Sequence, residues 1–284
     1  MSDTPSAVDV ASWLRLVVEP GSVVELRVLG CVNSPQYPAF TVSGYFDDLD
    51  LLARAAMEWT GKVEGCYVTI NPVNRALLAR AANRVIKKPK HTTTDADIVR
   101  RVGLVFDADP VRPAGISATD EEKALARDRI DQLVSHLTAK GWPAPILADS
   151  GNGFHARYRI DLSAEDGGLV LRVLKAAVAL FSDDRVKIDA SLSNASRIIK
   201  LYGTMSRKGD NIPPRPHRRT RVLSIPDDYR VVLVELLEAF AAEAGTSSAP
   251  ETPGPNGPGN GGLGTPIAHD KWSPEARARA YVFA

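Results

Sequence analysis

Apolar and polar positions divide the chain into short runs with two different periods. Residues 23–30 and 41–46 alternate as strands do, and a short helix is predicted around residues 8–18. Asp47 or Asp48 is placed to cap a helix running to Trp59, with Leu51, Leu52, Ala55, Ala56 and Trp59 forming one apolar stripe. Residues 65–71 predict a third strand, turning at Asn71-Pro72 into a helix over 75–86 capped by Asn74. These alternations predict a small α/β lobe over residues 1–90, ended by Lys87-Lys88-Pro89-Lys90.

Beyond a linker, residues 102–106 read as a short buried strand. Thr119 and Glu122 have capping-box spacing, and Leu125, Ile130, Leu133, Val134 and Leu137 form the buried side of a helix that Gly141 closes. Two apolar runs, 146–149 and 154–160, flank Ser150-Gly151-Asn152-Gly153, a strong hairpin signal. A helix follows from a cap at 163–166 to about Phe181, then two short strands at 185–190 and 197–203. Through residue 190 this is the βαββαβ order of a ferredoxin-like, RNA-recognition-motif-type sheet, predicted over 98–225. Asp227 is expected to cap a last helix over 226–244. Residues 245–268 read as a Gly/Pro-rich linker, and 269–284 as the start of a further helical segment, so the chain reads as a fragment of a longer protein.

Composition narrows the class. The 284 residues are 44% hydrophobic and 24% charged, with no apolar run fit to span a membrane and no signal-peptide pattern. Two distant cysteines, Cys31 and Cys66, give neither a disulfide framework nor a zinc cluster, so no zinc is expected and the cytoplasm is the expected compartment. The net charge is +1, but its distribution is uneven. Residues 185–221 hold ten Lys/Arg against two acids, an excess of +8, which suits a polyanion or is a solvated basic face.

The candidate chemistry starts at Phe106-Asp107-Ala108-Asp109. Two residues apart on a strand, Asp107 and Asp109 share one face and repel each other unless a cation sits between them. Mg²⁺ or Mn²⁺ suits such oxygen ligands; an ordinary strand-exit turn is the alternative. Asp189 ends a later strand, His155 follows the glycine turn that Ser150 opens, and Arg197 and Lys208 lie in the basic segment. Three carboxylates for two metals, with cations and backbone N–H groups for a triphosphate, are what nucleotidyl transfer requires. Taken singly, His155 also reads as a satisfied interior histidine and Asp189 as a turn residue. Arg157 and Arg159, on the His155 face of its strand, either line a nucleic-acid groove or face solvent.

In this order, Phe-Asp-Ala-Asp, Ser-Gly-Asn-Gly-Phe-His, Ile-Asp, Arg-Ile-Ile-Lys-Leu-Tyr-Gly-Thr and Arg-Lys resemble the archaeo-eukaryotic primase superfamily, most of all phage and plasmid primase-polymerases. The resemblance spans about 65–210, including Asn71-Pro72-Val73-Asn74. It implies a two-lobed α+β catalytic module, the small lobe packed on the RNA-recognition-like lobe with the active site between them. It further implies metal binding by Asp107, Asp109 and Asp189, and nucleotide contacts by Ser150, His155, Asn194, Arg197 and Lys208. The expected partners are a single-stranded DNA template, NTP or dNTP, and a helicase domain or subunit beyond the linker. Arg157, Arg159, Arg207, Arg215, Arg218 and Arg219 are the candidates for nucleic-acid contact.

Two other readings stay open at this level. A non-catalytic replication-initiator module would use the basic segment equally well, although no RNP-like aromatic motif occurs. A metal-dependent nuclease or glycosyltransferase could also carry Asp-x-Asp.

Overall fold

Two five-stranded antiparallel sheets organise residues 6–34 and 36–246, the part of the chain that the computed structural model describes. In chain order the elements are α1 (Ala7–Val17), β1 (Val24–Cys31), β2 (Phe40–Phe46), α2 (Leu49–Trp59), β3 (Gly65–Thr69), β4 (Ile86–Lys87), β5 (Arg100–Pro110), α3 (Asp120–Ala139), β6 (Ile146–Asp149), β7 (Phe154–Ser163), α4 (Leu169–Phe181), β8 (Val186–Ile188), β9 (Ile198–Lys200), β10 (Met205–Ser206), β11 (Arg218–Arg219), β12 (Arg221–Ser224) and α5 (Val234–Thr246). The first sheet has the order β4-β2-β1-β3-β9 and the second β12-β6-β7-β5-β8; β10 and β11 pair as a separate ribbon. The protein is therefore a mixed α+β structure.

Local chemistry explains most of the second sheet. Its first six elements run β5-α3-β6-β7-α4-β8, and the Ser150–Gly153 turn makes β6 and β7 antiparallel neighbours. Thr119 and Glu122 form the expected capping box: the Thr119 N–H donates to Glu122 Oε2 at 2.9 Å, and the Glu122 N–H to Thr119 Oγ1 at 3.2 Å. Alternation along β5 sends Leu104, Phe106 and Ala108 to one face, where Phe106 meets Trp142, Tyr158 and Phe240 edge-on or tilted. The opposite face carries Val105, Asp107 and Asp109. One apolar cluster contains residues of both sheets, including Leu26, Val68, Phe106, Leu133 and Val173.

Several sequence expectations need correction. The first sheet is antiparallel throughout, because a loop without a helix joins β1 to β2 and the α2 crossover sets β3 on the far side of β1. The helix expected over 75–86 is a single 3-10 stretch, Arg75–Arg80. It stops because Asn83 adopts positive φ and its side chain binds back, accepting from the Asp47 and Asp48 N–H groups and donating to Asp47. α4 starts at Leu169, since β7 runs on to Ser163 and Gly167 and Gly168 turn the chain with positive φ; Asp166 accepts from the Gly168 and Val170 N–H groups. Asp227 does not cap α5, which begins at Val234 after Val232 N–H bonds to the Arg159 carbonyl.

The largest departure is β9. Sequence order groups it with the second sheet, yet it pairs with β3 of the first, Tyr67 opposite Lys200. β8 already occupies the edge beside β5, and the 3-10 turn Ala190–Ser193 carries the chain across. Residues 247–284, which include most of the expected linker and the segment 269–284, lie outside the described residues.

Candidate functional site

The site is laid out by strand register. Asp107 on β5 lies opposite His155 on β7. On the other side, Ala108 pairs with Ile188 and Asp109 with Lys187 of β8, and the Asp189 N–H donates to the Asp107 carbonyl at 3.0 Å. The register therefore sets His155, Asp107 and Asp189 in a row across three strands. A cavity of about 250 Å³ opens above that row and is closed on its other side by β3 and β9. Its lining joins Asp107, Asp109, Ser150, His155, Asp189, Arg197 and Lys208, the sequence-predicted set apart from Asn194. Asn194 is exposed and not part of the lining; its carbonyl accepts from the Arg197 N–H at 3.1 Å.

The turn between β6 and β7 is pressed against the acidic strand. Gly153 N–H donates to Ser150 Oγ at 3.1 Å, and Ser150 N–H to the Gly153 carbonyl at 3.0 Å. A Cβ at Gly153 would stand 2.3 Å from the Ala108 carbonyl and 2.5 Å from Asp109 Oδ1, so only glycine allows this approach. Gly151 takes φ +94° and donates its N–H to Asp149, which the buried Lys123 ammonium neutralises at 2.8 Å. Asn152 pins the turn from outside, accepting from the Ala118 N–H and donating to Ser206 Oγ.

The electrostatics are those of a site short of positive charge at one point and short of negative charge at another. Burial raises the Asp109 carboxyl above its ordinary range and the Asp107 charge adds to this, against the pull of Arg112, Lys208 and His155. Asp107 Oδ1 is buried without a hydrogen bond, 3.3 Å from His155 Nε2. Burial alone would strip His155 of its proton, but Asp107 and Asp109 outweigh it and hold the imidazole above its ordinary pKa. His155 Nδ1 is bonded to the Tyr202 hydroxyl at 2.7 Å.

Three polar lining residues escape the sequence reading, Tyr67, Asn152 and Lys200. Lys200 is 7% exposed, and its Nζ has no hydrogen-bond partner and lies 4.3 Å from the centre of the Tyr67 ring. Burial, and Lys208 nearby, push its pKa down to about 8. The only sequence signal was its place in Arg197-Ile-Ile-Lys200; the crossing of β9 that buries it is a long-range fact.

Asp189 is held differently from the acidic pair. Its carboxylate accepts from the Ser191 N–H at 2.7 Å and the Ser191 hydroxyl at 2.8 Å, with Arg197 Nη2 3.9 Å away. Among the described residues no three His, Cys, Asp or Glu side chains already converge as a metal-ligand set. The acidic pair nonetheless fits a hard divalent cation. Its mutual repulsion and the orphaned Asp107 oxygen are what such an ion relieves, all donors are oxygens, and Asp189 lines the same cavity.

The arginines expected to meet nucleic acid do not line that cavity, and each has a partner within the chain. Arg157 is 2% exposed and bonded to the Tyr229 hydroxyl, because its strand face is covered by the chain leading to α5. Arg159 pairs with Glu19 at 3.4 Å, Arg215 with Glu122 at 2.8 Å, and Arg218 with Asp120 at 2.7 Å. Arg219 pairs with Asp9, and Arg207 bonds His217. Three of the eight excess charges of residues 185–221 are thus met by acids of α1 and α3.

No family model and no curated protein matches the chain. It is similar to the crystal structure of primase RepB′, at 8% identity over 84% of this chain and 62% of that one, with a TM-score of 0.45. Likeness at that level carries no argument about activity.

Proposed function

We propose that the chain is a metal-dependent, template-directed nucleotidyltransferase: a primase or primase-polymerase, acting in phage or plasmid DNA replication. The observation that carries this reading is the meeting, in one cavity, of three aspartates with His155 and the cations Arg197, Lys200 and Lys208. Asp107, Asp109 and Asp189 would hold Mg²⁺ or Mn²⁺. Bound there, such ions would lower the pKa of an attacking 3′-hydroxyl and neutralise the departing pyrophosphate.

The chain's own groups supply the rest. Arg197, Lys200 and Lys208 offer a triphosphate its counter-charge. Lys200 in particular is buried without a hydrogen-bond partner, a costly state that a bound anion would relieve. His155, whose ring Tyr202 fixes through Nδ1, would turn its Nε2 side toward a phosphate oxygen beside Asp107. The Ser150 hydroxyl, which already accepts from Gly153, has its own proton to offer. The remaining partners in this reading are a single-stranded template and a helicase domain or subunit.

A second reading, a non-catalytic strand-binding initiator module, is favoured by one observation: Asp189 is tied to Ser191 rather than joined to the acidic pair. Labelled nucleotides supplied with a primed or unprimed single-stranded template and Mg²⁺ or Mn²⁺ separate the two. The enzyme incorporates label and Asp107→Ala with Asp109→Ala does not; equal incorporation by both proteins would sink the proposal.

A further inference from the structure

Arg215, Arg218 and Arg219 of the segment 185–221 are paired with acids, and a second basic surface lies on the strap that follows Asn83. Arg84, Lys87, Lys88, Lys90 and His91 are all exposed. Among the described residues none of the four Lys/Arg has an acidic partner. The strap is built rather than loose. At its start Asn83 is bonded to Asp47 and Asp48, and at its end the Thr93 N–H donates to the buried Glu25 carboxylate at 3.1 Å. Between them, Lys88 takes φ +50° and its N–H bonds the Thr41 carbonyl. Gly44 of β2 makes room for the crossing: a Cβ there would stand 1.9 Å from the Arg84 carbonyl oxygen. Ordering four like charges in one place opposes stability, and among the described residues no acidic side chain offsets it.

Aromatic rings accompany the cations. Lys87 Nζ lies 5.8 Å from the Trp59 ring centre and Lys88 Nζ 5.4 Å from that of Phe40. Trp59 also walls a cavity of about 480 Å³ with Val32, Glu58 and Lys62 among its other lining residues. Cations with aromatic faces beside them are the chemistry of single-strand binding: phosphates meet the cations and bases stack on the rings. β4 is one edge of the sheet whose other edge, β9, borders the aspartate cavity. Four strand spacings separate them, about 19 Å.

We infer that this strap, Arg84 to Lys90 with Trp59 and Phe40, binds the backbone of single-stranded nucleic acid. The choice of a nucleic acid over another polyanion rests on the template-directed reading above. The binding itself does not need the aspartate site.

The test is fluorescence anisotropy of the full chain with a labelled single-stranded DNA oligonucleotide across a salt series. Lys87→Gln with Lys88→Gln and Lys90→Gln should weaken binding by about 10-fold or more at low salt and lower the slope of log affinity against log salt by about 2. Arg172→Gln with Lys175→Gln, exposed on α4, should change neither. Trp59→Leu should weaken binding with the slope kept. An unchanged slope in the triple variant, an equal loss in the α4 variant, or no binding by the parent chain would each overturn the inference, as would loss only on anionic lipid vesicles. A matching unfolding midpoint shows that the triple variant is folded. Asp107→Ala with Asp109→Ala should bind the oligonucleotide like the parent. A chain that binds through the strap but never incorporates nucleotide would end the catalytic reading alone.

Discussion

Glu25 of the first sheet and the Asp107/Asp109 pair of the second meet the cost of placing a carboxylate inside the fold in opposite ways. Glu25, in the first sheet, is fully buried and fully matched. Arg27 holds it through two hydrogen bonds, the Ser43 hydroxyl donates to it, and the Thr93 N–H closes the set. Burial would raise its carboxyl, but Arg27, Ser43 and Thr93 prevail and hold it below the ordinary range. Asp107 and Asp109, half-buried in the second sheet, are matched only in part: Asp107 keeps an oxygen with no hydrogen bond, and Asp109, 3.3 Å from Arg112, still has a raised carboxyl pKa. Charge that a fold completes serves the fold. Charge that it leaves incomplete, inside a cavity, is where a ligand does the completing.

Substitutions can break this contrast from either side. The largest effect is expected at the incomplete site: Asp107→Ala with Asp109→Ala should lower nucleotide incorporation roughly 1,000-fold, measured as label incorporated on a primed template. Next comes the complete one. Glu25→Ala strands the Arg27 guanidinium and should destabilise the chain by about 3 kcal/mol, read from urea unfolding. Gly153→Ala should lower incorporation about 100-fold by forcing the turn away from Ala108 and Asp109, with a smaller change in the unfolding midpoint. Asp107→Asn with Asp109→Asn should move stability the other way, raising it by about 1 kcal/mol without ligand, as repulsion is removed. A stability loss like that of Glu25→Ala would place the pair among the structural carboxylates.

The pH dependence of stability sharpens the same point. Because the folded Glu25 carboxyl lies below its unfolded value, its contribution is present above the unfolded pKa and is lost as pH falls through the folded one. Denaturant midpoints should therefore fall below about pH 4.3, more steeply in the parent than in Glu25→Gln. Identical acid limbs would remove Glu25 from the account.

What the sequence made legible was local. The acidic pair, the hairpin turn, the capping box at Thr119 and Glu122, and the alternation of His155 with Arg157 all depend on spacing along one or two elements. What it hid was created by distance. Nothing in Ile198-Ile199-Lys200 announces that this strand leaves the second sheet to pair with Tyr67, so Lys200 was unreadable as a buried cation. Arg215, Arg218 and Arg219 look free in the sequence because their partners, Glu122, Asp120 and Asp9, lie about 100 to 200 residues earlier in the chain. The quieter Lys87-Lys88-Pro89-Lys90 stands out only once those pairs are seen.

The central claim is that the Asp107/Asp109 pair is an ion site completed by a nucleotide. Mn²⁺ binding, followed by electron paramagnetic resonance with and without a non-hydrolysable nucleoside triphosphate, tests it most directly. The parent chain should bind Mn²⁺ weakly alone and strongly with the triphosphate, and Asp107→Asn with Asp109→Asn should do neither. Equal Mn²⁺ binding by the two proteins would contradict the account.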